Sequence, residues 1–216
     1  MNKYKIILFD LDGTLSDPKE GITRSVQYAL EKLGVVEPDL DRLEPFIGPP
    51  LQESFSAVYA FDDEKTKLAI DYYRERFKET GMFENELYPG IEPLLAQLKA
   101  EGKRLAVATS KPTVFAERIL QYFHIDSYFD LVVGSHLDGT RISKTEIIQY
   151  ILDELSSYKK QDFIMIGDRK HDIIGAKNTG IDSIGVAYGY GSFDELHKAN
   201  PTFIVHEVEQ LGSILR

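Results

Sequence analysis

Two aspartates at the end of an apolar run are the first residues whose types and spacing could do chemistry. Ile6 to Phe9 are consecutive apolar residues, and Asp10, Asp12, Gly13 and Thr14 follow them. Side chains alternate along an extended chain, so both carboxylates would face the same way, and their repulsion would call for a cation. Hard oxygen ligands suit Mg²⁺, which keeps some of its sites for water and substrate phosphate. An Asx-rich turn that merely closes a strand is the alternative.

The elements that would position these residues form a layered α/β pattern. Ile6 to Phe9 are typical of a strand buried on both faces of a parallel sheet, and such sheets bind ligands at the carboxyl ends of their strands. From Pro89 onward strands and helices alternate, which predicts a doubly wound, Rossmann-like parallel sheet. Residues 16–87 indicate helices only. We therefore expect a core domain of 1–15 and 88–216 with an inserted all-helical cap domain of 16–87; helices packed on the sheet of one domain are the alternative.

Individual elements follow from apolar periodicity and from the Gly and Pro residues that interrupt it. We expect strands at 6–9, 104–108, 131–133, 163–166, 183–187 and 203–205. We expect helices at 51–59, 91–100, 112–122, 144–155 and 173–179, and at the C-terminus, with a long cap helix that begins at Asp62 or Asp63.

Three further places on this pattern could bind a phosphoryl group or a cation. Thr109 and Ser110 lie at the end of a strand before a helix, where hydroxyl and amide groups can hold phosphate, although an ordinary helix cap would look the same. Lys144 precedes a helix and could neutralise a phosphate, although a lone lysine is usually a surface residue. Asp168 and Asp172 follow a strand and a glycine, and a loop with a capping Asp172 would also fit.

These segments resemble the motifs of the haloacid dehalogenase (HAD) superfamily, which consists mostly of Mg²⁺-dependent phosphatases. Asp10-Leu11-Asp12-Gly13-Thr14-Leu15 is similar to its first motif, Thr109-Ser110 to its second, Lys144 to its third, and Gly167 to Asp172 to its fourth. The triplet Thr109-Ser110-Lys111 also resembles the phosphoglycolate phosphatase branch, which commonly has Thr-Asn-Lys. Arg141 is the alternative to Lys144 for the basic residue of the third motif. In the fourth motif, Arg169 occupies the position where many family members have Thr or Ser.

The resemblance implies a role for each of these residues. Asp10 would attack phosphorus and form an aspartyl-phosphate, while Asp12 would protonate the leaving oxygen and then activate water. Mg²⁺ would be held by Asp10, the backbone carbonyl of Asp12 and Asp168, with Asp172 orienting these ligands or their waters. The substrate phosphate would be bound by Gly13, Thr109, Ser110 and Lys144.

We therefore expect a Mg²⁺-dependent phosphatase that hydrolyses a small phosphomonoester, similar to phosphoglycolate phosphatase. Asp12 favours phosphate over halide chemistry, because the dehalogenases of this superfamily lack the second acid. A 5′-nucleotidase acting on nucleoside monophosphates and a β-phosphoglucomutase-like phosphomutase are the enzymatic alternatives. A phospho-aspartate switch is the non-enzymatic alternative.

Composition limits the remaining functional classes. The net charge of −10 argues against nucleic acid as a partner, because such binding depends on clustered Lys and Arg. The chain has no cysteine, which excludes disulfides and thiolate zinc sites. We find no apolar run of ~18 residues and no apolar segment typical of a signal peptide. We expect a cytoplasmic enzyme with a small-molecule partner, no nucleic acid or membrane partner, and a monomeric or weakly homodimeric state.

Overall fold

The computed structural model describes residues 3–215, and the main sheet is built from segments on either side of residues 18–86. Its strands are β1 (Ile6–Phe9), β4 (Arg104–Pro112), β5 (Leu131–Ser135), β6 (Phe163–Gly167), β7 (Asp182–Val186) and β8 (Phe203–Val205). They are ordered β5-β4-β1-β6-β7-β8, and every paired neighbour is parallel. The predicted doubly wound α/β sheet is confirmed.

Strand β1 lies at the centre of this sheet. Ile6 pairs with Arg104 on one side and with Phe163 on the other, so β1 has a neighbour along both edges. Residues Ile6–Phe9 are all fully buried, as an uninterrupted apolar strand requires. The core on one face includes Ile6, Leu8, Ala106, Ile147, Ile151, Phe163 and Met165. Residues that follow β1, β4 and β6 are thereby brought to one edge of the sheet.

The chain divides into two compact units, Met1–Asp17 with Leu87–Arg216, and Pro18–Glu86. The first unit contains helices α4 (Ile91–Ala100), α5 (Thr113–Tyr122), α6 (Lys144–Glu154), α7 (Lys170–Thr179), α8 (Phe193–Ala199) and α9 (Val208–Leu215). The second unit contains α1 (Lys19–Lys32), α2 (Leu51–Tyr59) and α3 (Asp63–Phe77), with 3₁₀ turns at Leu40–Phe46 and Gly81–Phe83. Among residues 3–215, no helix combines the length and apolar character needed to cross a membrane.

Two short strands were not predicted. Strands β2 (Ser16–Asp17) and β3 (Glu86–Leu87) form a separate two-stranded sheet. They lie at the ends of the segment that we expected to be helical throughout. Two residues are too few to produce a period-two pattern, so the sequence carries no signal for them.

Several predicted bounds differ from the structure by one or two residues, and larger differences occur at β4, α7 and α8. Strand β4 continues past an irregularity to Pro112, where it pairs with Ser135, so this proline precedes α5 rather than beginning it. Helix α7 begins at Lys170 instead of Ile173, because the Asp172 carboxylate accepts the Arg169 amide at 3.1 Å and caps an earlier turn. Helix α8 was missed; it is short and begins with Ser192 accepting the Glu195 amide at 3.1 Å.

Candidate active site

The turn after β1 brings Asp10 and Asp12 to the carboxyl edge of the sheet. Asp10 is 2% exposed and Asp12 is 6% exposed. The Leu11 amide donates to Asp10 Oδ1 at 2.8 Å. Gly13 has a φ of 79°, and a Cβ at that position would lie 2.2 Å from Asp168 Oδ2. Only glycine lets this turn lie directly against Asp168.

Three buried carboxylates meet beside this turn. Asp10, Asp168 and Asp172 each offer an oxygen within 4.8 Å of the others. Asp10 and Asp168 meet because each directly follows one of the neighbouring strands β1 and β6, and Asp172 reaches them from the first turn of α7. Such a group of hard oxygen donors could hold a divalent cation.

Lys144 places a positively charged side chain among these carboxylates. Its Nζ lies 2.7 Å from Asp10 Oδ1 and 2.6 Å from Asp172 Oδ1, and it donates to the Ala108 carbonyl at 2.8 Å. Ser143 and Glu146 form a capping box that makes Lys144 the first residue of α6. Burial alone would lower the pKa of Lys144, but Asp10 and Asp172 outweigh burial and raise it. Lys144 is therefore held in its charged form.

Asp12 has a different lysine partner. Lys111 Nζ lies 2.8 Å from Asp12 Oδ2, and both side chains are buried. Lys111 belongs to β4, where its amide donates to the hydroxyl of buried Thr109 at 3.3 Å. Burial raises the pKa of Asp12, although Lys111 opposes this. A carboxyl group whose pKa is raised is better suited to hold and return a proton.

Negative charge exceeds positive charge at this edge of the sheet. Four buried carboxylates, those of Asp10, Asp12, Asp168 and Asp172, face the two buried lysines Lys111 and Lys144. Burial raises the pKa of Asp168 well above its usual value, and Asp172 and Asp10 raise it further. Burial also raises the pKa of Asp172 to about 6, against the effect of Lys144. A bound cation would relieve this excess of carboxylates, and the all-oxygen donor set fits a hard metal ion.

Comparison with known proteins agrees with this geometry. Residues 7–186 match the model of the haloacid dehalogenase-like hydrolase family, and this range contains β4, β6, most of β1 and all the buried carboxylates and lysines above. The chain belongs to the haloacid dehalogenase-like hydrolase family.

Several relatives of this HAD-like hydrolase have names that describe an activity. A 5′-nucleotidase from Pseudomonas aeruginosa is 50% identical over 99% of this chain and 96% of its own length. A tyrosine-protein kinase, PtkA, from Mycobacterium tuberculosis is 39% identical over 94% of this chain and 68% of its own length. A phosphoglycolate phosphatase from Colwellia psychrerythraea is 30% identical over 98% of this chain and 96% of its own length.

Solved structures also resemble this HAD-like hydrolase closely. The crystal structure of a predicted phosphatase from Clostridium acetobutylicum has a TM-score of 0.95 and 51% identity, and it covers 98% of both chains. Together, the family model and these relatives establish that the chain is a phosphatase of the HAD family.

The predicted site residues of this HAD-like phosphatase differ in where they lie. Asp10, Lys144, Asp168 and Asp172 form one buried cluster. Thr109 is buried in the neighbouring strand β4, and Ser110 beside it is half-buried. Arg141, the alternative to Lys144, has different contacts. Its Nε donates to the Gly134 carbonyl at 2.9 Å, and its Cζ lies 4.7 Å from the centroid of the Tyr150 ring.

Two contacts of this site were missed in the sequence analysis. The Lys111–Asp12 pair was not predicted, although Lys111 is two residues after Thr109 and therefore faces the same way along β4. The Tyr190 amide, which donates to Asp168 Oδ2 at 2.8 Å, was also missed. Its signal was the alternation Gly189-Tyr190-Gly191, which indicates a close backbone approach.

Arg169 occupies the position where many family members have Thr or Ser. Its side chain pairs with Glu195 of α8 at 2.9 Å and so helps to hold that helix in place.

Proposed function

We propose that this HAD-family phosphatase hydrolyses a small phosphomonoester by attack of Asp10 on phosphorus. The observation that carries the proposal is the environment of Asp10. Its carboxylate is buried at the end of the central strand, accepts from the Leu11 amide, and lies 2.7 Å from Lys144 Nζ and beside Asp168 and Asp172. These contacts orient the nucleophile, and Lys144 reduces its repulsion with an anionic substrate.

Mg²⁺ is the cation that we assign to this site. The carboxylates of Asp10 and Asp168 and the backbone carbonyl of Asp12 would hold it. Asp172, held by Lys144, orients this ligand set. When bound, Mg²⁺ supplies positive charge that offsets repulsion between nucleophile and phosphate.

The hydrolysis proceeds in two displacements. A carboxylate oxygen of Asp10 forms a bond to phosphorus as the bond to the leaving oxygen breaks, and Asp12 gives its proton to that oxygen. Water then attacks the aspartyl-phosphate and gives a proton to Asp12, and the bond between Asp10 and phosphorus breaks. Lys111 fixes the Asp12 carboxyl group between these two transfers.

The phosphoryl oxygens need donors that match their developing charge. Lys144 supplies a buried ammonium, and the hydroxyls of Thr109 and Ser110 lie on the strand next to Asp10. The turn at Gly13 allows the backbone to approach the phosphate closely. In this proposal these four residues bind the transferring group.

Nucleoside monophosphates are the first substrate class to test. The relative named as a 5′-nucleotidase is 50% identical, whereas the relative named as a phosphoglycolate phosphatase is 30% identical. We therefore place nucleoside monophosphates ahead of phosphoglycolate, the reverse of the order suggested by the Thr109-Ser110-Lys111 triplet.

Steady-state phosphate release from a substrate panel tests this function. The panel contains nucleoside 5′-monophosphates, the matching 3′-monophosphates, phosphoglycolate and sugar phosphates, each with Mg²⁺ and with EDTA. We expect Mg²⁺-dependent release over many turnovers, with the highest kcat/KM for a 5′-monophosphate. Higher kcat/KM for phosphoglycolate would contradict the substrate class, and no release from any phosphomonoester would contradict the function.

The same assay separates the alternative functions. A phosphomutase would require a bisphosphate activator and would return isomerised sugar phosphate instead of free phosphate. A phospho-aspartate switch would be labelled once and stop. The relative named as a tyrosine kinase calls for one further reaction, with labelled ATP and a tyrosine-containing protein, in which transfer to tyrosine at a rate above phosphate release would favour kinase activity.

A further inference from the structure

The segment Tyr188–Gly191, which follows β7 and precedes α8, has no role in the reaction as proposed above. Nevertheless, its backbone reaches one of the proposed metal ligands, because the Tyr190 amide donates to Asp168 Oδ2 at 2.8 Å. Asp168 is fully buried, so this amide replaces water that the carboxylate would otherwise bind.

The two glycines of this segment show how tightly it is packed. A Cβ on Gly189 would lie 2.2 Å from the Gly13 carbonyl oxygen and 2.4 Å from Asp168 Cβ. A Cβ on Gly191 would lie 1.9 Å from the Asp168 carbonyl oxygen. Neither position can accept a side chain without moving the backbone. The segment therefore packs against Asp168 and, through Gly189, against the turn that carries Asp10 and Asp12.

The two tyrosines tie the same segment to the chain after that turn. The Tyr188 hydroxyl donates to the Thr14 carbonyl at 3.0 Å, and the Tyr188 ring packs edge-on against Tyr88, with centroids 5.0 Å apart. The Tyr190 hydroxyl donates to Asp17 Oδ1. Tyr190 thus bonds to Asp168 through its amide and to Asp17 through its side chain.

We infer that Tyr190 is a positioning residue for the metal site, which it serves by holding Asp168 in a fixed orientation relative to the Gly13 turn. The hydroxyl bond to Asp17 anchors the segment, and the anchored amide orients the Asp168 carboxylate before a cation binds. This inference rests on the proposed function, in which Asp168 is a ligand of Mg²⁺. Groups that orient a metal ligand typically change metal affinity by about 10- to 100-fold when they are removed.

Mn²⁺ binding, followed by the electron paramagnetic resonance signal of the free ion, tests the inference without turnover. We expect Tyr190→Phe to weaken Mn²⁺ binding by about tenfold. Asp17→Ala should have a similar effect, because it removes the same hydrogen bond as Tyr190→Phe. For the same reason the double variant should bind Mn²⁺ no more weakly than the single variant with the lower affinity. Tyr122→Phe, which removes a hydroxyl from a half-exposed tyrosine of α5, is the matched control and should bind as the wild type does.

Turnover measured against Mg²⁺ concentration separates positioning from a general loss of structure. In Tyr190→Phe, excess Mg²⁺ should restore kcat to within about twofold of wild type, whereas a damaged fold would lower kcat at every concentration. Mn²⁺ affinity within about twofold of wild type in both single variants would overturn the inference. Asp168→Asn distinguishes the proposed metal site from the proposed role of Tyr190. If Asp168→Asn binds Mn²⁺ as tightly as the wild type, the metal site is wrong. If Asp168→Asn loses Mn²⁺ binding while Tyr190→Phe and Asp17→Ala keep it, only the role of Tyr190 is wrong. Should Tyr190→Phe fail to fold, Asp17→Ala gives the same decision.

Discussion

The two units of the chain place their charged and aromatic residues differently. In the first unit, charge is buried: Lys144 is 4% exposed and pairs with Asp10 and Asp172, while Asp168 is fully buried. In the second unit, residues 18–86, aromatic rings form a buried group. Phe55 is fully buried, and its ring centroid lies 4.8 Å from that of Phe46 and 6.0 Å from that of Phe61.

The surface of the second unit has ion pairs of another kind. Lys19 pairs with Asp41 and Glu44, and Arg24 pairs with Glu20, all with side chains at least 39% exposed. Exposed pairs contribute little to stability, whereas burial of unbalanced charge costs free energy. The comparison indicates that the buried charges of the first unit serve chemistry, while aromatic packing stabilises the second unit.

Removal of the nucleophile should have the largest effect. Asp10→Asn should lower kcat by at least about a thousandfold, because an amide oxygen cannot attack phosphorus as the carboxylate does. The variant should still fold, since it removes one of several crowded negative charges. Asp71→Asn, an exposed change of the same type on α3, is the control and should keep full activity. Turnover of Asp10→Asn within tenfold of wild type would rule out the nucleophile assignment.

Loss of the buried ammonium should affect folding as well as the reaction. Lys144→Met leaves Asp10 and Asp172 without their cation, so we expect the free energy of unfolding to fall by about 3–5 kcal/mol in EDTA. Lys67→Met, on the exposed side of α3, should change it by less than about 0.5 kcal/mol. Urea unfolding measures both. A cost below about 1 kcal/mol for Lys144→Met would mean that the paired carboxylates do not depend on this lysine.

Truncation of the aromatic group tests the other side of the comparison. Phe55→Ala should destabilise α2 by about 3 kcal/mol, because it removes a fully buried ring that packs against Phe46 and Phe61. Val58→Ala, at a 43% exposed position of the same helix, is the matched control. Hydrogen exchange of residues 51–59 measures the local change. Equal exchange in both variants would contradict the assignment of stability to the aromatic rings.

Local signals in the sequence were sufficient for much of the fold. Strand Ile6–Phe9, helix Leu51–Tyr59, helix Ile91–Ala100 and strand Phe203–Val205 have the predicted bounds. Each is a continuous apolar or periodic run, and all except Leu51–Tyr59 are followed directly by a polar residue, so these limits depend mainly on neighbouring residues. The resemblance to the HAD motifs implied that Asp10 and Asp168 meet, and the general rule that parallel strands present their carboxyl ends at one edge agrees with this.

Contacts between distant segments could not be predicted in the same way. The Lys111–Asp12 pair requires β4 to remain extended beyond Thr109, which depends on pairing with β5. The hydrogen bond from the Tyr190 amide to Asp168 requires the chain after β7 to turn back to the carboxyl end of β6, where Asp168 lies. The two-residue spacing from Thr109 and the Gly-Tyr-Gly alternation are local signals, but they do not identify the partners, because tertiary pairing decides both contacts.

A half-buried ion pair away from the site should show a pH-dependent effect of intermediate size. Burial would raise the pKa of Asp130, but bonds from Lys99 at 3.0 Å and the Leu105 amide at 2.9 Å outweigh burial and lower it. A lowered folded-state pKa stabilises the protein at pH values above the unfolded pKa of about 3.9, and this stability is lost as pH falls through the folded pKa.

Asp130→Asn should therefore cost about 1 kcal/mol at pH 7 and progressively less as the pH falls below about 4. Urea unfolding at several pH values measures the difference between variant and wild type. Lys99→Met should reproduce part of the cost at pH 7, since it removes one of the two bonds. A difference that grows on acidification would show that the sign of the pKa shift is wrong.

The smallest effect should come from the exposed pair on α1. Glu20 and Arg24 are one helical turn apart with 2.9 Å between Oε1 and Nε, and the acid is nearer the helix N-terminus, the favourable order. A double-mutant cycle with Glu20→Gln and Arg24→Gln should give a coupling of about 0.3–0.5 kcal/mol at low salt and close to zero in 1 M NaCl, because solvent ions screen exposed charges. The same cycle on Asp130 and Lys99, whose side chains are 26% and 31% exposed, should keep more of its coupling in high salt. A salt-independent coupling above about 1 kcal/mol for Glu20 and Arg24 would contradict the contrast between the two units, since an exposed pair would then stabilise the helical unit as strongly as buried groups do.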